Sequence, residues 1–454
     1  MRLKKEAMLS FVRSDVGQPK VVVEAHKKYQ GISQVLEEHP GILDRVHADV
    51  REILSASAKG RGSDYSSDTI LRTLIVQVVE GQDFRGAVVQ IADNEFLRDF
   101  VRLGNRRVMD FTFLNRCSHA LRPETWKAIN DLLARSAAKR GWIDPSEIRA
   151  DCTVVEANIH YPTDSSLLWD SWRVLSRWLR RGRALARDLV PHRFHDRKTK
   201  KLHEFISRYA ASPSKGRQRQ VKATFRTFIA KVRGLADAAE AFGAQADARP
   251  GLDLAAVAEE LRALLPSVRT VIQTAERSQI QGQTVPARDR VFSLFEPHVE
   301  LIKRGKRSKP VEFGHQVLLA QTRQKFITDY DVLEESLDEA ELTEPVVTRH
   351  KKLFGAPPKA LTADQGFHPV EPVRERVEAQ VQTLAIPRRL ADWGDKVMAL
   401  FQKFRAGIEG SISVLKRAFR LMRCLSKGFK HFRASVGQAI FCHNLVVLAR
   451  CRSA

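Results

Sequence analysis

Hydrophobic positions in the first third of the chain follow a helical period. Ser66-Ser-Asp-Thr offers an N-cap, and the apolar positions from Ile70 to Val78 recur at helical spacing. Shorter helical patterns follow over 84–100 and 112–138. We therefore predict a small helical domain over 61–140, of the kind that can place a helix on DNA. A helix-turn-helix is only one interpretation, because short helical hairpins are common in α domains.

The period changes to two at Ile148, where residues 148, 150, 152 and 154 alternate with 149, 151, 153 and 155. This alternation predicts a strand that carries Asp151 near its middle. Strand patterns resume at 317–320 and 326–332, and a short strand over 359–364 ends at Asp364. A further strand is predicted at 383–387, and helices are predicted over 407–422 and 437–448.

These elements predict an α/β chain, α+β overall, in which a mixed sheet is interrupted by a large helical insertion. The predicted segments are an N-terminal segment 1–60, a helical DNA-binding domain 61–140, a catalytic core formed by 141–168 and 300–425, a basic helical insertion 169–299, and a C-terminal helix 426–454.

The charge of the chain indicates an anionic partner. Lys and Arg number 76 against 53 Asp and Glu, a formal net charge of +23. Nucleic acid is the first candidate, because each neutralised phosphate releases condensed counterions. A membrane surface is second, but we find neither a stretch approaching the ~20 apolar residues of a membrane span nor an apolar signal-peptide core. The five scattered cysteines indicate reduced thiols, so we expect a cytoplasmic, nucleoid-associated bacterial protein.

The charge is concentrated in a basic block over 165–234, which has 19 Lys and Arg against four acids. Three tryptophans in it are followed or separated by arginines, among them Arg173, Arg177, Arg180 and Arg181. Basic residues interleaved with aromatics suit phosphate contact and base stacking. A helix with tryptophans in its core and a solvated basic face explains the tryptophans equally well.

Residues 400–454 hold eleven Lys and Arg and a single acid, Glu409. On a helix, Arg405, Glu409 and Lys416 lie within ~40° of one another, and Arg420 would share that face. One acid among cations suits a metal ligand beside DNA phosphates. The alternative is an ordinary surface ion pair between Arg405 and Glu409, four residues apart.

Clustered carboxylates are what two-metal phosphodiester chemistry needs, because hard oxygen ligands hold each ion while water and phosphate oxygens take the open positions. Asp151 and Asp364, on two strands, and Glu409, on a helix, are the candidates. His160, His315 and His368 lack ligand-like spacing, so we interpret them as core or surface histidines.

Three strings resemble motifs of bacterial insertion-sequence DDE transposases, specifically the ISNCY-type group. The R-x3-E-x6-K string around Glu409 resembles their Y-x2-R-x3-E-x6-K signature. Asp151-Cys-Thr-Val-Val-Glu-Ala-Asn resembles the first-aspartate motif, and Thr362-Ala-Asp-Gln-Gly-Phe-His resembles the second. Val311-Glu-Phe-Gly-His-Gln-Val is similar to the stretch between them, and the similarity extends from about 60 to 450.

The resemblance implies an RNase H-like catalytic core with Asp151, Asp364 and Glu409 as its catalytic and metal-binding residues. It implies Mg2+ or Mn2+ as cofactor, binding of terminal inverted repeats and target DNA, strand cleavage by water, and strand transfer by a DNA 3′-hydroxyl, usually by a homodimer. One position departs from the signature, because Gln402 stands where it has tyrosine. A metal-dependent nuclease without strand transfer, or a non-catalytic DNA-binding regulator, is the alternative.

Overall fold

The computed structural model describes residues 2–6, 15, 17–53, 65–190, 192–249, 251–306, 309–388 and 396–452, without the side chains of 304–306 and 397. Two compact units divide the chain: unit 1 comprises 1–158 with 314–454, and unit 2 comprises 159–313. The predicted insertion 169–299 falls within unit 2. The predicted N-terminal helical domain falls within unit 1, with its residues 61–64 outside the described part of the chain.

Before the first strand, unit 1 contains α1 (Lys20–Glu38), α2 (Pro40–Val50), α3 (Ser67–Val79), α4 (Phe84–Asp93), α5 (Glu95–Phe100), α6 (Phe111–Ala120) and α7 (Pro123–Lys139). Unit 2 contains α8 (Asp164–Leu185), α9 (Asp196–Tyr209), α10 (Lys215–Ala246) and α11 (Leu252–Ala275). Unit 1 resumes with α12 (Thr343–Phe354), α13 (Val373–Glu378), α14 (Lys396–Ala418) and α15 (Phe429–Cys451).

Ser66 caps α3 as predicted, since its hydroxyl accepts a hydrogen bond from the Thr69 amide at 3.2 Å. The sequence did not predict α1 and α2. Three adjacent β-branched residues, Val21 to Val23, obscure the helical period of α1, and Val21 is exposed on its surface.

The strands are β1 (Glu147–Ala157), β2 (Glu300–Lys306), β3 (Lys309–Thr322), β4 (Ile327–Val332), β5 (Ala360–Thr362), β6 (Thr383–Ala385) and β7 (Arg423–Cys424). They form a seven-stranded mixed sheet of order β2-β3-β1-β5-β6, with β4 on β3 and β7 on β1. β1 is antiparallel to β3 and parallel to β5, and β5 is parallel to β6. The strands predicted at 148–155, 326–332, 359–364 and 383–387 are therefore confirmed within about two residues at their ends. The strand predicted at 317–320 is only the inner part of β3, which begins eight residues earlier, at Lys309.

Both faces of β1 are covered. Ile148, Ala150 and Cys152 lie in an apolar core with residues of α12 and α13, including Val346 and Val377. The opposite face carries Arg149 and Asp151 and lies against α14. The two-residue alternation therefore separates the two faces of a central strand rather than a core from solvent.

The helix predicted at 407–422 is α14, which begins and ends before the predicted residues. α14 starts at Lys396 in the described chain and ends at Ala418. Arg420 lies beyond that end in a left-handed conformation, φ 63°, which is uncommon for a residue with a side chain. The prediction that Arg420 shares a helical face with Glu409 was therefore wrong.

α15 corrects the expectation about apolar stretches. Among the described residues this one helix is long and apolar enough to cross a membrane, by length and composition alone. Its apolar window is 89% buried, and it packs against α1, α3, α7 and β4. A core helix of a soluble protein shows the same composition, because a helix surrounded by its own domain is apolar on all sides.

Unit 2 is helical, as predicted for its basic and Ala-rich parts. α8, α10 and α11 bury one apolar core that contains Trp172, Phe228 and Phe242. Gly182 lets α8 and α10 approach closely, because a Cβ there would lie 2.6 Å from the Phe242 ring. The basic block, 165–234, covers α8, α9 and the first part of α10.

Candidate active site

Pairing between β1 and β5 brings two of the predicted carboxylates to one level of the sheet. Arg149 is the register partner of Thr362 in this parallel pair. Asp151 lies two residues after Arg149, and Asp364 lies two residues after Thr362. Both aspartates are therefore at the same height along the two neighbouring strands. Asp151 is still inside its strand, whereas Asp364 lies just beyond the end of β5.

The turn after β5 fixes the carboxylate of Asp364. Asp364 caps a single 3-10 turn, Gln365–Phe367, and its Oδ1 accepts a hydrogen bond from the Gly366 amide at 3.0 Å. Phe367 anchors this turn in the core beneath the sheet. The Asp-Gln-Gly-Phe string therefore has a structural role in forming this turn, in addition to any chemical role of Asp364.

A buried arginine joins α14 to the strand of Asp151. Arg149 is 4% exposed; its Nε donates to Gln321 Oε1 at 2.9 Å, and its Nη1 donates to the Phe404 carbonyl at 2.5 Å. A Cβ at Gly407 would overlap the Arg149 guanidinium, so this glycine permits the close approach of helix and sheet. Burial, and next the charge of Arg323, lowers the pKa of Arg149 to about 10.

This contact places Glu409 within electrostatic reach of Asp151. Burial raises the pKa of Asp151 to about 6; the Asp364 carboxylate contributes next and Glu409 adds a smaller part, while the Cys152 amide and Arg405 oppose the shift. Glu409 itself is 61% exposed and forms an ion pair with Arg405 at 2.9 Å. The surface ion pair, one of the two alternatives given above, is thus present, while the metal-ligand alternative stays a prediction.

A fourth carboxylate, Glu339, was missed by the sequence analysis. It begins the 3-10 turn Glu339–Leu342 before α12. Burial raises the pKa of the Cys152 thiol, and the charge of Glu339 is the next cause. A Cβ at Gly366 would overlap its Oε2 and lie 3.2 Å from Oδ1 of Asp364. The only signal was an acid-rich string, residues 334–341, and such strings are ordinarily solvated.

Among the described residues, no three His, Cys, Asp or Glu side chains lie close enough together to hold a metal ion as they stand. The chemistry of Asp151, Asp364 and Glu409 nevertheless fits a hard divalent cation. All three offer carboxylate oxygens, and a buried carboxyl with a raised pKa beside two like charges is stabilised by a cation. His315 belongs to the core, where its Nδ1 lies 2.9 Å from the Leu333 carbonyl.

The predicted DNA-binding residues of unit 1 occupy different environments. Arg405 is mostly covered and pairs with Glu409, and Lys416 is half-buried on α14. Arg420 donates from Nη1 to the Gly81 carbonyl at 2.9 Å. Gln402 is exposed on α14, and Phe404 is buried beneath the guanidiniums of Arg149 and Arg323.

In unit 2, the four predicted arginines of α8, Arg173, Arg177, Arg180 and Arg181, are all exposed. The first pairs with Asp170 at 3.3 Å and the third with Asp196 at 2.5 Å.

The tryptophans of this helix belong mainly to its core. Trp172 is 2% exposed and donates from Nε1 to Asp196 at 2.9 Å, while Trp169 and Trp178 pack against the same core. For Trp172 the core interpretation is therefore correct and the base-stacking interpretation is wrong.

Comparison of the chain with protein-family models, with curated proteins and with solved structures finds no match. The resemblance to DDE transposases thus rests on the three motifs of the chain.

Proposed function

We propose that this chain is a DDE transposase that binds the terminal inverted repeats of its insertion sequence, cleaves the DNA, and joins the 3′-hydroxyl to target DNA by two-metal-ion phosphoryl transfer. The observation that carries this proposal is the convergence of acids on Asp151. Asp364 and Glu409, far apart in the chain, both lie close enough to raise the pKa of its carboxyl.

The topology of the sheet supports an RNase H-like catalytic core. β1, with the first aspartate, is the central strand between an antiparallel neighbour and a parallel one. β3, β4, α12 and β5 separate it from the second aspartate once unit 2 is set aside, and α14 carries the glutamate across one face of the sheet.

In this mechanism Asp151, Asp364 and Glu409 would hold Mg2+ or Mn2+, which when bound supplies an activated water and stabilises the leaving oxygen. Asp151 must be ionised to bind a cation. Burial, and next the Asp364 carboxylate, raises its pKa to about 6, so its carboxyl keeps the proton to a higher pH than an ordinary aspartate, and a bound cation would displace that proton. Glu409 must release Arg405 to join the other carboxylates, and Arg405 is then free to bind a DNA phosphate.

Charge supports double-stranded DNA as the substrate. The exposed arginines of α8, two of which pair with acids of their own unit, offer phosphate contacts, as do Lys416 and Arg420 in unit 1. We propose that the protein acts as a homodimer on DNA in the cytoplasm, associated with the nucleoid.

The decisive experiment incubates the protein and Mg2+ with DNA from the flanks of its own coding region. Nicks mapped to inverted repeats, followed by joined products, are the result expected of a transposase. Nicks without joining would instead identify a metal-dependent nuclease, and binding without any nick would identify a regulator.

A further inference from the structure

A cleft of about 390 Å³ opens in unit 1 between the N-terminal helices and the segment that follows α14. Phe84 at the start of α4 and His119 on α6 form one wall. Residues 419–427 and the first turns of α15 form the other. This volume lies within the ~300–1,000 Å³ of ordinary small-ligand sites.

Three cations line this cleft: Arg420, Arg423 and Lys427. Arg423 pairs with Glu156 at 2.9 Å, so its charge is partly compensated. Arg420 and Lys427 form no ion pair within the described part of the chain. The one acid in the lining, Asp83, is engaged as the N-cap of α4, where it accepts from the Gly86 amide at 2.7 Å.

The first of these cations, Arg420, combines a place in the cleft lining with an uncommon backbone conformation. Arg420 adopts φ 63°, a conformation that costs free energy in a residue other than glycine and clusters at functional sites. Its Nη1 donates to the Gly81 carbonyl at 2.9 Å, and within the described residues its Nη2 and Nε form no hydrogen bond. The side chain is thus oriented at the edge of the cleft with donors to spare.

The rest of the lining combines neutral hydrogen-bonding groups with rings. Ser118 and Ser426 offer hydroxyls, the second shared with Ser435 at 3.0 Å, and Asn115 offers an amide, whereas the amide of Gln438 already donates to Leu74 and Gln77. Phe84 and His119 are partly exposed, with one ring face of His119 stacked on His431. Cations with hydroxyls suit a phosphate, whereas ring faces beside amides suit a base.

We propose that this cleft is a second binding site, which takes one nucleoside phosphate unit with its phosphate on Arg420, Arg423 and Lys427 and its base against Phe84 and His119. The unit could be supplied by a free nucleotide or by one residue of a DNA strand. The second source rests on the proposed function, but the site uses none of its three carboxylates.

The test measures binding without divalent metal, by calorimetry with dTMP and by photo-crosslinking of a 5-iodouracil-containing single-stranded oligonucleotide. The full chain is compared with Arg420→Ala/Lys427→Ala and with Lys427→Glu, whose exposed side chain leaves folding intact. Lys430→Ala is the matched control, since this exposed lysine lies outside the cleft lining.

We expect both cleft variants to lose at least tenfold in affinity for dTMP, or in crosslinks to the segment 419–427, while Lys430→Ala stays within twofold. Binding of dTMP supports a free nucleotide as the source, and crosslinks without dTMP binding support a DNA strand. Equal values in the cleft variants and the control overturn the site, and competition by inorganic phosphate as strong as by dTMP overturns its nucleoside part. Glu409→Gln should leave this binding unchanged, because Glu409 lies outside the cleft lining. Cleavage by this variant therefore tests the proposed function separately from the cleft.

Discussion

The carboxylate site of unit 1 and the basic face of α8 in unit 2 use charge in opposite ways. Asp151 is mostly covered and lies beside two other acids, so its ionised form is disfavoured. The arginines of α8 are exposed, and two of the four pair with acids of their own unit. Burying like charges together lowers the stability of the fold but gives carboxyls that favour a bound cation. Exposed charges lower stability little and attract a polyanion over a longer distance.

The largest effect is expected at the carboxylates. Asp151→Asn, Asp364→Asn and Glu409→Gln should each reduce Mg2+-dependent cleavage by on the order of 10³-fold, because each removes charge that would stabilise the transition state. DNA affinity should be retained, as measured by gel shift. Glu334→Gln, an exposed acid of unit 1, is the control. Metal-dependent cleavage retained in any of the three variants would remove that residue from the triad.

The next effect concerns pH and stability. The pKa of Asp151 is raised from 3.8 to about 6, so the folded state binds its proton more tightly than the unfolded state. Its ionisation therefore lowers the free energy of unfolding as pH rises from about 4 through 6, by up to about 3 kcal/mol.

Asp151→Asn has no such ionisation. In EDTA, its free energy of unfolding relative to wild type should increase by about 2–3 kcal/mol between pH 4 and pH 7.5 in urea titrations. A difference that is flat with pH would show that the carboxyl is not held as described.

A smaller effect tests how α14 is held against the sheet. Gly407→Ala should reduce the free energy of unfolding by about 1–3 kcal/mol, because the new Cβ overlaps the buried Arg149 guanidinium. It should also reduce cleavage, since α14 carries Glu409. Gly410→Ala, on the same helix with open space around its Cβ, should instead stabilise by about 0.5–1 kcal/mol. Thermal unfolding measures both effects. Equal changes of Tm in the two variants would contradict the close packing of α14 on Arg149.

The smallest effect is expected on the basic face of α8. Arg177→Ala/Arg181→Ala removes two arginines without ion pairs in the described structure, and should lower the salt slope of DNA binding by about 2. Arg173→Ala/Arg180→Ala should lower it less, because Asp170 and Asp196 already pair with these residues. Arg269→Ala, an ion-paired arginine of α11, is the control. Unchanged affinity and slope in all variants would exclude this face from the DNA contact.

The sequence predicted local structure best where one period dominates. The N-cap at Ser66 and the strand of Asp151 follow from short-range patterns, and the structure contains both. It failed where apolar residues adjoin, as at Val21 to Val23, and at the end of α14, where Arg420 leaves the helix. Such ends depend on packing and on rare backbone conformations, which composition does not report.

The chain by itself determined the order of Asp151, Asp364 and Glu409, the periods of the elements that carry them, and the concentration of positive charge. Tertiary structure alone decided that their charges meet, that Glu339 lies beside Asp364, and that Arg149 joins α14 to β1. It also decided that Trp172 is core and that Arg420 lines a separate cleft. Periodicity reports which face of an element is buried, whereas pKa shifts and partners depend on contacts between segments far apart in the sequence.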